Sequence, residues 1–327
     1  MPRQFAARHD RFALSRPFRI SRGVKTAADV VTVTVSESGI EGRGEGVPYP
    51  RYGESVDSVL AQIESVTDAI SGGATRTDLS ALMPPGAARN AVDCALWDLE
   101  AKREGRTIAE LIGAPVPTRI ATAVTVVIDT PAAMAEAARA IAAAPLLKVK
   151  VDAHDPAAAI LAVRDAAPSA QLIVDPNESW DEALLRAVMP VLQDCRVAVL
   201  EQPVKAGDDG WLDTYDSPVP ICADEAIHTI AELDVVAARY DAVNIKLDKT
   251  GGLTAALELA QAVQARGMRL MSGCMVCSSL GIAPALHIAR LAEWADLDGP
   301  LWLAQDRPGG VSAEGGWMSP PAEGFWG

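Results

Sequence analysis

The chain has 327 residues, and its 29 Lys and Arg residues are outnumbered by 43 Asp and Glu residues, which gives a formal net charge of −14. This acidic balance excludes the basic surface that nucleic-acid-binding proteins need and disfavours binding to an anionic membrane surface. Hydrophobic residues make up 49% of the chain, as is typical of a globular protein, and the length accommodates a barrel of roughly 250 residues beside a smaller domain.

The first third of the chain predicts a mixed α and β domain. Valines alternate with threonines over residues 31–35, which is the period of a strand, and Ser and Gly over residues 36–39 predict a turn. The spacing of apolar residues predicts one helix over residues 55–70 and a longer helix over residues 87–104. Glycines and prolines follow, so we expect a domain boundary near residue 117.

Beyond this boundary, short β-rich runs alternate with segments that have helical spacing. The runs begin about 20–25 residues apart, the repeat of a βα unit, and eight of them close best as a barrel of parallel strands. An open doubly wound sheet is the competing fold, but no G-x-G-x-x-G motif follows the first run. The runs are residues 122–128, 146–151, 172–174, 197–200, 221–223, 243–247, 269–271 and 294–297.

Three of the intervening segments carry signals for a helix N-terminus. Asp155 stands before a proline, which is typical of the residue that caps a helix. Ser179 with Glu182 and Thr229 with Glu232 have the spacing of capping boxes. We therefore expect helices to begin at these three places.

The cysteines and the termini predict a cytoplasmic protein with reduced thiols. Residues 1–11 contain no apolar segment of a secretory leader, and no apolar run reaches the ~18 residues of a membrane-spanning helix. Cys274 and Cys277 form a C-x-x-C pair, which could be a redox or zinc site, but no second pair accompanies it. The five cysteines are Cys94, Cys195, Cys222, Cys274 and Cys277.

A charged side chain ends five consecutive β-rich runs. These residues are Lys150, Asp175, Glu201, Asp224 and Lys246, separated by 22 to 26 residues. Active sites of parallel barrels lie at the carboxyl ends of the strands. We therefore expect all five side chains to meet at one end of one barrel.

The three carboxylates in this series predict a metal site. Asp175, Glu201 and Asp224 would repel one another unless a cation lay between them. Hard oxygen ligands with room for water and substrate favour Mg²⁺. The alternative is that each acid caps a helix or pairs with Lys or Arg, but three acids at one height favour the metal.

The lysines predict acid–base chemistry beside this metal. Lys148 and Lys150 lie two residues apart on a strand and project to the same face, and Lys246 comes from a strand across the barrel. Two lysines that face each other over a metal can act as general bases on opposite faces of one carbon, with pKa values lowered by a nearby cation. The alternative is structural pairing with the same carboxylates.

This ordered set of motifs resembles the enolase superfamily and, within it, the muconate-lactonizing-enzyme subgroup, over nearly the whole chain. The resemblance implies an α/β fold: a modified TIM barrel, (β/α)7β, over residues 118–302, with an α+β capping domain over residues 1–117 that residues 303–327 complete. It also implies Mg²⁺ as cofactor and lysine bases. The matching segments are Lys148-Val149-Lys150, Asp175-Pro176-Asn177, Glu201-Gln202-Pro203, Asp224-Glu225, Asn244-Ile245-Lys246 and, for the capping-domain helix, residues 90–99.

The end of the eighth run narrows the resemblance to dipeptide epimerases. Such enzymes carry an Asp-x-Asp there for the free ammonium of the substrate, and this chain has Asp296 and Asp298. Residues 44–46, 49–55, 247–252 and 273–275 also resemble the L-Ala-D/L-Glu epimerases of bacterial murein recycling.

The resemblance implies a 1,1-proton transfer at the α-carbon of the C-terminal residue of a dipeptide. Lys150 and Lys246 would be the bases, and Lys148 would stabilise the negative charge that develops. Cys274 and Met275 would line the substrate pocket, so the C-x-x-C pair would not be a redox site.

One departure concerns the side chain of the substrate. Such enzymes place an arginine over the pocket for the glutamate carboxylate, whereas this chain has Lys25, with Arg22 and Arg51 as nearby candidates. A lysine keeps the charge but loses the bidentate geometry of arginine. The sequence therefore predicts a cation for an acidic substrate side chain but not the bidentate contact that an arginine would make.

Other readings are left open by the sequence. An N-acylamino-acid racemase, an o-succinylbenzoate synthase or a cycloisomerase would keep the fold, but their substrates lack the free ammonium that the Asp-x-Asp motif predicts. A binding or scaffold protein on an idle barrel is the alternative of another class. The expected partner is a small-molecule dipeptide rather than nucleic acid or membrane, and assembly into a homo-oligomer stays open.

Overall fold

The computed structural model describes residues 3–327 and begins with a three-stranded antiparallel sheet in the order β1-β2-β3. A two-residue turn joins β2 to β3, and Ser38 and Gly39 both have positive φ, of 53° and 83°. This conformation matches the twist of the paired strands, and the predicted turn is confirmed. The strands are β1 Gln4–Ile20, β2 Gly23–Glu37 and β3 Ile40–Gly46.

Five helices follow, and the longest packs directly on β3. A Cβ added to Gly44 would lie 2.1 Å from the carbonyl oxygen of Ala91, so the backbones touch where only glycine fits. The long helix has the predicted bounds, 87–104, and it ends at Gly105, where φ is 60°. Most of its residues are buried. The helices are α1 Val56–Glu64, α2 Thr67–Ser71, α3 Leu79–Leu82, α4 Ala87–Glu104 and α5 Ile108–Leu111.

Eight parallel strands form the second sheet, in sequence order from β5 to β12. The first and last strands approach each other, because the amide of Ala123 donates to the carbonyl of Ala295 at 2.8 Å. The sheet is thus a nearly closed barrel, and the predicted fold class is confirmed. The strands are β5 Val124–Val126, β6 Leu146–Lys150, β7 Gln171–Asp175, β8 Val197–Glu201, β9 Ile221–Ala223, β10 Ala242–Ile245, β11 Arg269–Gly273 and β12 Trp294–Asp296.

α-Helices connect most consecutive strands of the barrel, and the segment between β8 and β9 holds a short 3-10 helix, Gly210–Thr214. Several follow directly on a strand-end loop, and a one-turn helix begins immediately after β10. The helices are α6 Pro131–Ala140, α7 Pro156–Ala166, α8 Glu182–Asp194, α9 Leu233–Ala237, α10 Leu247–Thr250, α11 Leu253–Ala265 and α12 Ser279–Ala289.

One buried side chain from each barrel strand fills the barrel interior. Side chains two residues apart on a strand project to the same face, so the side chains of the next inward position lie directly above this layer, toward the carboxyl ends of the strands. The layer is Ala123, just before β5, with Leu146, Ile173, Val199, Cys222, Ala242, Met271 and Trp294.

The C-terminal segment returns to the first sheet and α4. The indole of Trp326 donates to the carbonyl of Arg43 at 3.0 Å, and the amide of Gly327 donates to Asp98 at 2.7 Å. Two further strands, β13 Ser312–Glu314 and β14 Trp317–Ser319, form a small sheet with β4 Ile120–Ala121. β14 is the central strand of this sheet. The division of the chain near residue 117 stays a prediction.

Several local expectations differ from the structure. The helix predicted over residues 55–70 is broken into α1 and α2. The capping box at Ser179 is wrong: Asp181 caps α8 by accepting from the amide of Leu184 at 2.8 Å. Asp155 and the Thr229–Glu232 box do cap the elements they precede. No helix within residues 3–327 has the length and apolarity needed to cross a membrane, and all five cysteines are free thiols.

Candidate active site

A cavity lies at the carboxyl ends of the barrel strands, below the tip of the β1–β2 hairpin. Asp175 and Glu201 lie beneath it and are fully buried, and Arg51 is not part of its lining. Most of the side chains predicted from the sequence line the cavity, namely Lys25, Lys148, Lys150, Asp224, Lys246, Cys274, Met275, Asp296 and Asp298.

Lys148 stands at the centre of an acidic cluster. Its ammonium lies 3.0 Å from Asp175 Oδ2, 2.6 Å from Glu201 Oε2 and 2.7 Å from Asp296 Oδ2. Burial by itself lowers the pKa of Lys148, but the surrounding carboxylates outweigh burial and hold that pKa well above its ordinary value. Lys148 is therefore a permanent cation in this arrangement.

The other two lysines flank the row of carboxylates. Lys150 Nζ donates to Asp175 Oδ2 at 2.5 Å, and Lys246 Nζ donates to Asp224 Oδ2 at 2.6 Å. In sheet order, the five strands from β6 to β10 end at or next to one charged residue each. These residues are Lys150, Asp175, Glu201, Asp224 and Lys246. The two lysines therefore reach the site from opposite sides, as the sequence predicts.

The direction of one pKa shift is opposite to expectation. Burial lowers the pKa of Lys246, but the charges of Asp224 and Glu201 outweigh it and raise that pKa well above its ordinary value. The expectation from sequence considered neighbouring cations, whereas the nearest group is the carboxylate of Asp224.

The three predicted metal ligands are crowded together, and a lysine ammonium contacts each of them. Burial, together with the charge of Asp175, raises the pKa of Glu201 to about 7, and Glu201 Oε2 accepts no hydrogen bond of good geometry although Lys148 is close. Within residues 3–327, no three His, Cys, Asp or Glu side chains are arranged to hold a metal ion as they stand. The donors of Asp175, Glu201 and Asp224 nevertheless fit a small divalent cation, because they are hard oxygens of converging charge.

Asp296 and Asp298 form a second acidic site at the end of β12. Asp298 Oδ2 accepts from the amide of Thr125 at 2.9 Å and from the indole of Trp302 at 3.2 Å. Burial and the neighbouring charge of Asp296 raise the pKa of Asp298 to about 6. Asp296 Oδ1 is buried without a hydrogen-bond partner in residues 3–327, so this site can accept further donors.

The hairpin tip brings Arg22 and Lys25 over the cavity. Arg22 is engaged by the barrel loops: it donates to the Asn177 carbonyl at 3.0 Å and pairs with Glu225 at 2.8 Å. The ammonium of Lys25 makes no hydrogen bond or ion pair within residues 3–327, and it lies 4.9 Å from the ring centroid of Tyr49. Burial and the charge of Arg22 lower the pKa of Lys25.

Arg51 does not reach the cavity. Both arms of its guanidinium donate to Glu178 at 2.8 Å, and this bidentate pair fixes it at the rim. Arg51 therefore lies outside the cavity lining in this conformation, and its contact with a substrate carboxylate stays a prediction. Of the two nearby arginines, Arg22 is the one that lines the cavity.

Some residues of the site carry no role in the expectations from sequence. Asn177 accepts from Lys150 at 3.0 Å, and Glu225 lines the cavity with both carboxylate oxygens lacking a hydrogen bond of good geometry. Both residues stand within two positions of a predicted metal ligand, and that proximity was the available signal. Lys249 had no such signal, because it lies on α10 after the strand.

The chain is similar to characterised epimerases and racemases. It is 52% identical to the L-Ala-D/L-Glu epimerase of Escherichia coli (strain K12) over 295 residues, which cover 90% of this chain and 92% of that protein. It is 43% identical to the N-acetyl-D-glutamate racemase of a Pseudoalteromonas species, with coverage of 91% and 95%.

Solved structures agree closely with this fold. An enolase family member from Agrobacterium tumefaciens, with homology to dipeptide epimerases and with bound sodium and L-Ala-L-Glu, superposes with a TM-score of 0.98 at 46% identity over all of both chains. A dipeptide epimerase from Enterococcus faecalis V583, complexed with Mg and L-Leu-L-Tyr, gives a TM-score of 0.91 at 28% identity over 99% of each chain.

Two family models match the chain along most of its length. The mandelate racemase / muconate lactonizing enzyme N-terminal domain matches residues 3–113, and the enolase C-terminal domain-like model matches residues 132–324. The chain therefore belongs to the mandelate racemase and muconate lactonizing enzyme family of the enolase superfamily.

Proposed function

We propose that this protein is a Mg²⁺-dependent dipeptide epimerase that inverts the α-carbon of the C-terminal residue, with L-Ala-D/L-Glu as substrate. The observation that carries the proposal is the placement of Lys150 and Lys246 on opposite sides of three buried carboxylates, with a buried acidic pair beside them. The names of the similar proteins support the same reaction class.

Asp175, Glu201 and Asp224 would hold Mg²⁺. When bound there, the ion would supply positive charge that stabilises negative charge on the substrate carboxylate. Lys148 adds a fixed positive charge, because three carboxylates keep it protonated. Lys150 and Lys246 pair with carboxylates that would also hold the ion, so these two ion pairs would loosen when the ion binds.

The two flanking lysines move the proton. One of them takes the α-proton from one face of the carbon, and the other returns a proton to the opposite face. In the reverse reaction their roles exchange. The abstracted proton stays on the first lysine, and the other epimer receives a different proton from the second, so one C–H bond breaks on one face and one forms on the other. Exchange with solvent then returns both lysines to their starting protonation states, and a lysine on each face is sufficient for both directions.

The acidic pair at β12 would bind the free ammonium of the dipeptide. Asp298 is held by Thr125 and Trp302, and Asp296 keeps a buried oxygen without a partner. A cationic donor would satisfy that oxygen, whereas an acyl group would leave it unpaired at a cost of ~1–3 kcal/mol.

Lys25 would set the preference for an acidic side chain. It is the cavity-lining cation without a hydrogen bond or ion pair in residues 3–327, whereas the guanidinium of Arg22 is bound by Glu225 and the Asn177 carbonyl. A glutamate carboxylate would pair with its ammonium and offset the burial that lowers its pKa.

A second candidate, N-acetylglutamate racemisation, is favoured by one specific observation. One similar protein, at 43% identity, is an N-acetyl-D-glutamate racemase. The same metal, lysines and Lys25 would serve that reaction, and only the acidic pair at β12 argues against it.

We further infer a cytoplasmic role in the recycling of peptidoglycan peptides, which supply such dipeptides.

The two candidates are separated by one comparison of substrates. The Mg²⁺-loaded protein is incubated in D₂O with L-Ala-L-Glu and, in parallel, with N-acetyl-L-glutamate, and proton NMR follows loss of the α-proton. We expect exchange and L-Ala-D-Glu formation with the dipeptide and a rate at least about 100-fold lower with the acylated amino acid. The reverse order would establish the racemase, and no exchange with either would refute both.

A further inference from the structure

Lys249 is a fully buried lysine that contacts a predicted metal ligand from below the cavity. Its ammonium donates to Asp224 Oδ1 at 2.6 Å, to the carbonyl oxygen of Asp224 at 2.5 Å and to the carbonyl of Asn244 at 2.9 Å. All three donor positions of the ammonium are thus used. Lys249 does not line the cavity, so it cannot contact a substrate there.

The fold fixes Lys249 from two sides. It lies on α10, a single turn that follows β10 and ends at Gly251, where φ is 80°. Arg89 of α4 donates to the carbonyls of Thr250 and Gly251 at 2.5 and 3.1 Å. The first part of the chain therefore holds the turn that carries Lys249.

Two lysines divide the carboxylate of Asp224 between them. Lys246 contacts Oδ2 and lines the cavity, whereas Lys249 contacts Oδ1 and the backbone. A lysine that acts on a substrate must leave its carboxylate partner, and a lysine that never reaches the cavity need not. Lys249 is thus the cation that stays on Asp224 throughout turnover.

We propose that Lys249 is a positioning residue that fixes the Asp224 carboxylate for metal binding and leaves Lys246 free to move. This inference rests on the proposed function, because it presumes that Asp224 binds Mg²⁺. Loss of the ammonium would leave Asp224 Oδ1 without this donor, whereas the carbonyl of Asp224 would keep the amide of Ile227 at 3.3 Å. Loss of such an outer partner typically costs 10–100-fold in metal affinity or activity.

The test is calorimetric titration of the full-length protein with MgCl₂ in the absence of substrate. Lys249→Met keeps most of the length of the apolar part of the side chain and removes the ammonium. We expect about 10–100-fold weaker Mg²⁺ binding than in the wild type. The matched control is Lys102→Met, because Lys102 also donates to a buried aspartate, Asp98, but on α4 and away from the cavity; its Mg²⁺ affinity should be unchanged.

Rescue of kcat by excess MgCl₂ is a second readout, because a purely structural defect would not be corrected by added metal. Excess MgCl₂ should restore most of kcat to Lys249→Met, whereas it should restore none to Lys246→Met, which lacks a base. If Lys249→Met does not fold by circular dichroism, the same titration is made on Lys249→Gln, whose neutral amide still donates hydrogen bonds.

The outcomes separate the two hypotheses. A wild-type protein that binds no Mg²⁺ contradicts the proposed function itself. A wild-type protein that binds Mg²⁺, with unchanged affinity in the folded Lys249 variant, overturns the positioning role alone.

Discussion

Three cationic residues near the cavity, Arg22, Lys25 and Arg51, differ in what their side chains are free to bind. The guanidinium of Arg22 is engaged by barrel loops and that of Arg51 by Glu178, whereas Lys25 faces the cavity without an ion pair in the described chain. The sequence alone could not rank the three, because it does not show which of them pairs with a carboxylate in the folded chain. Their ranking follows from which guanidinium finds a carboxylate nearby.

Lys25→Met is expected to raise KM for L-Ala-L-Glu by about tenfold or more, because a charge-assisted hydrogen bond contributes roughly 1.5–3 kcal/mol. The effect on an uncharged dipeptide such as L-Ala-L-Leu should be small or opposite in sign. Steady-state kinetics with both dipeptides measure the difference. Equal losses for both substrates would show that Lys25 does not bind the side-chain carboxylate.

Asp248 links the barrel to the first sheet and makes stability depend on pH. Burial, reinforced by the charges of Glu54 and Glu45, raises its pKa from 3.8 to about 7, while Oδ1 accepts from the amide of Val47 and from Asn90. The folded state therefore binds a proton more tightly than the unfolded state. This contribution to stability is complete below about pH 4 and is lost as the pH rises through 7.

Asp248→Asn keeps the acceptor oxygen and removes this titration. The stability of the variant relative to the wild type should rise by on the order of 3 kcal/mol between pH 4 and pH 8. Urea unfolding at both pH values measures the change, and any constant cost of the substitution cancels. A stability difference that is independent of pH would mean that Asp248 has an ordinary pKa.

At the scale of the element, the barrel strands explain why the site was foreseeable. The predicted metal ligands stand two residues after the interior layer, as Asp175 follows Ile173 and Glu201 follows Val199, and Lys150 and Lys246 stand four residues after it. Because the period of a strand is two, an apolar run followed by a charged residue already fixes the height of the charged side chain in the barrel and the face to which it projects. The hairpin tip and α10 lack this constraint, since tertiary contacts with barrel loops and with Arg89 place them.

Gly273 occupies the corresponding position on β11 and leaves room for Lys246. A Cβ there would lie 2.7 Å from Asn244 Oδ1 and 2.9 Å from Lys246 Cε. Gly273→Ala should therefore displace Lys246 and lower turnover by up to about 100-fold, the effect of a displacement of roughly 1 Å.

Gly210→Ala is the matched control for this substitution. Its added Cβ would meet only Arg239 Nη2, at 3.8 Å, so turnover should stay at the wild-type level. Turnover of the folded Gly273→Ala variant equal to that of the control would show that Lys246 tolerates the methyl group.

At the scale of the whole molecule, one arginine joins the C-terminal segment to both other parts of the chain. Arg307 Nη2 lies 2.8 Å from Glu45 Oε2 and 3.1 Å from Asp10 Oδ2, and the amide of Ser278 in the barrel donates to Glu45 Oε1 at 2.8 Å. The return of residues 303–327 was predicted, but this contact was not, because its partners are up to 297 positions apart.

Arg307→Met should lower the free energy of unfolding by about 3 kcal/mol, because it leaves Glu45 buried without its charge partner. Arg8→Met is the control: Arg8 also pairs with Asp10 but is exposed, so its loss should cost at most ~1 kcal/mol. Urea denaturation compares the two variants. Similar small losses of unfolding free energy in both variants would show that the buried pair of Arg307 and Glu45 does not stabilise the contact of the C-terminal segment with the rest of the chain.

The central claim is that two lysines act on opposite faces of one carbon, and single-step exchange tests it most directly. Each Mg²⁺-loaded variant, Lys150→Ala and Lys246→Ala, is incubated in D₂O with L-Ala-L-Glu and separately with L-Ala-D-Glu, and deuterium uptake at the glutamate α-carbon is measured. We predict mirrored patterns: each variant retains uptake from one epimer and loses it from the other, and neither interconverts the two. Uptake from both epimers in one variant, or equal loss from both in each folded, metal-binding variant, would contradict the account.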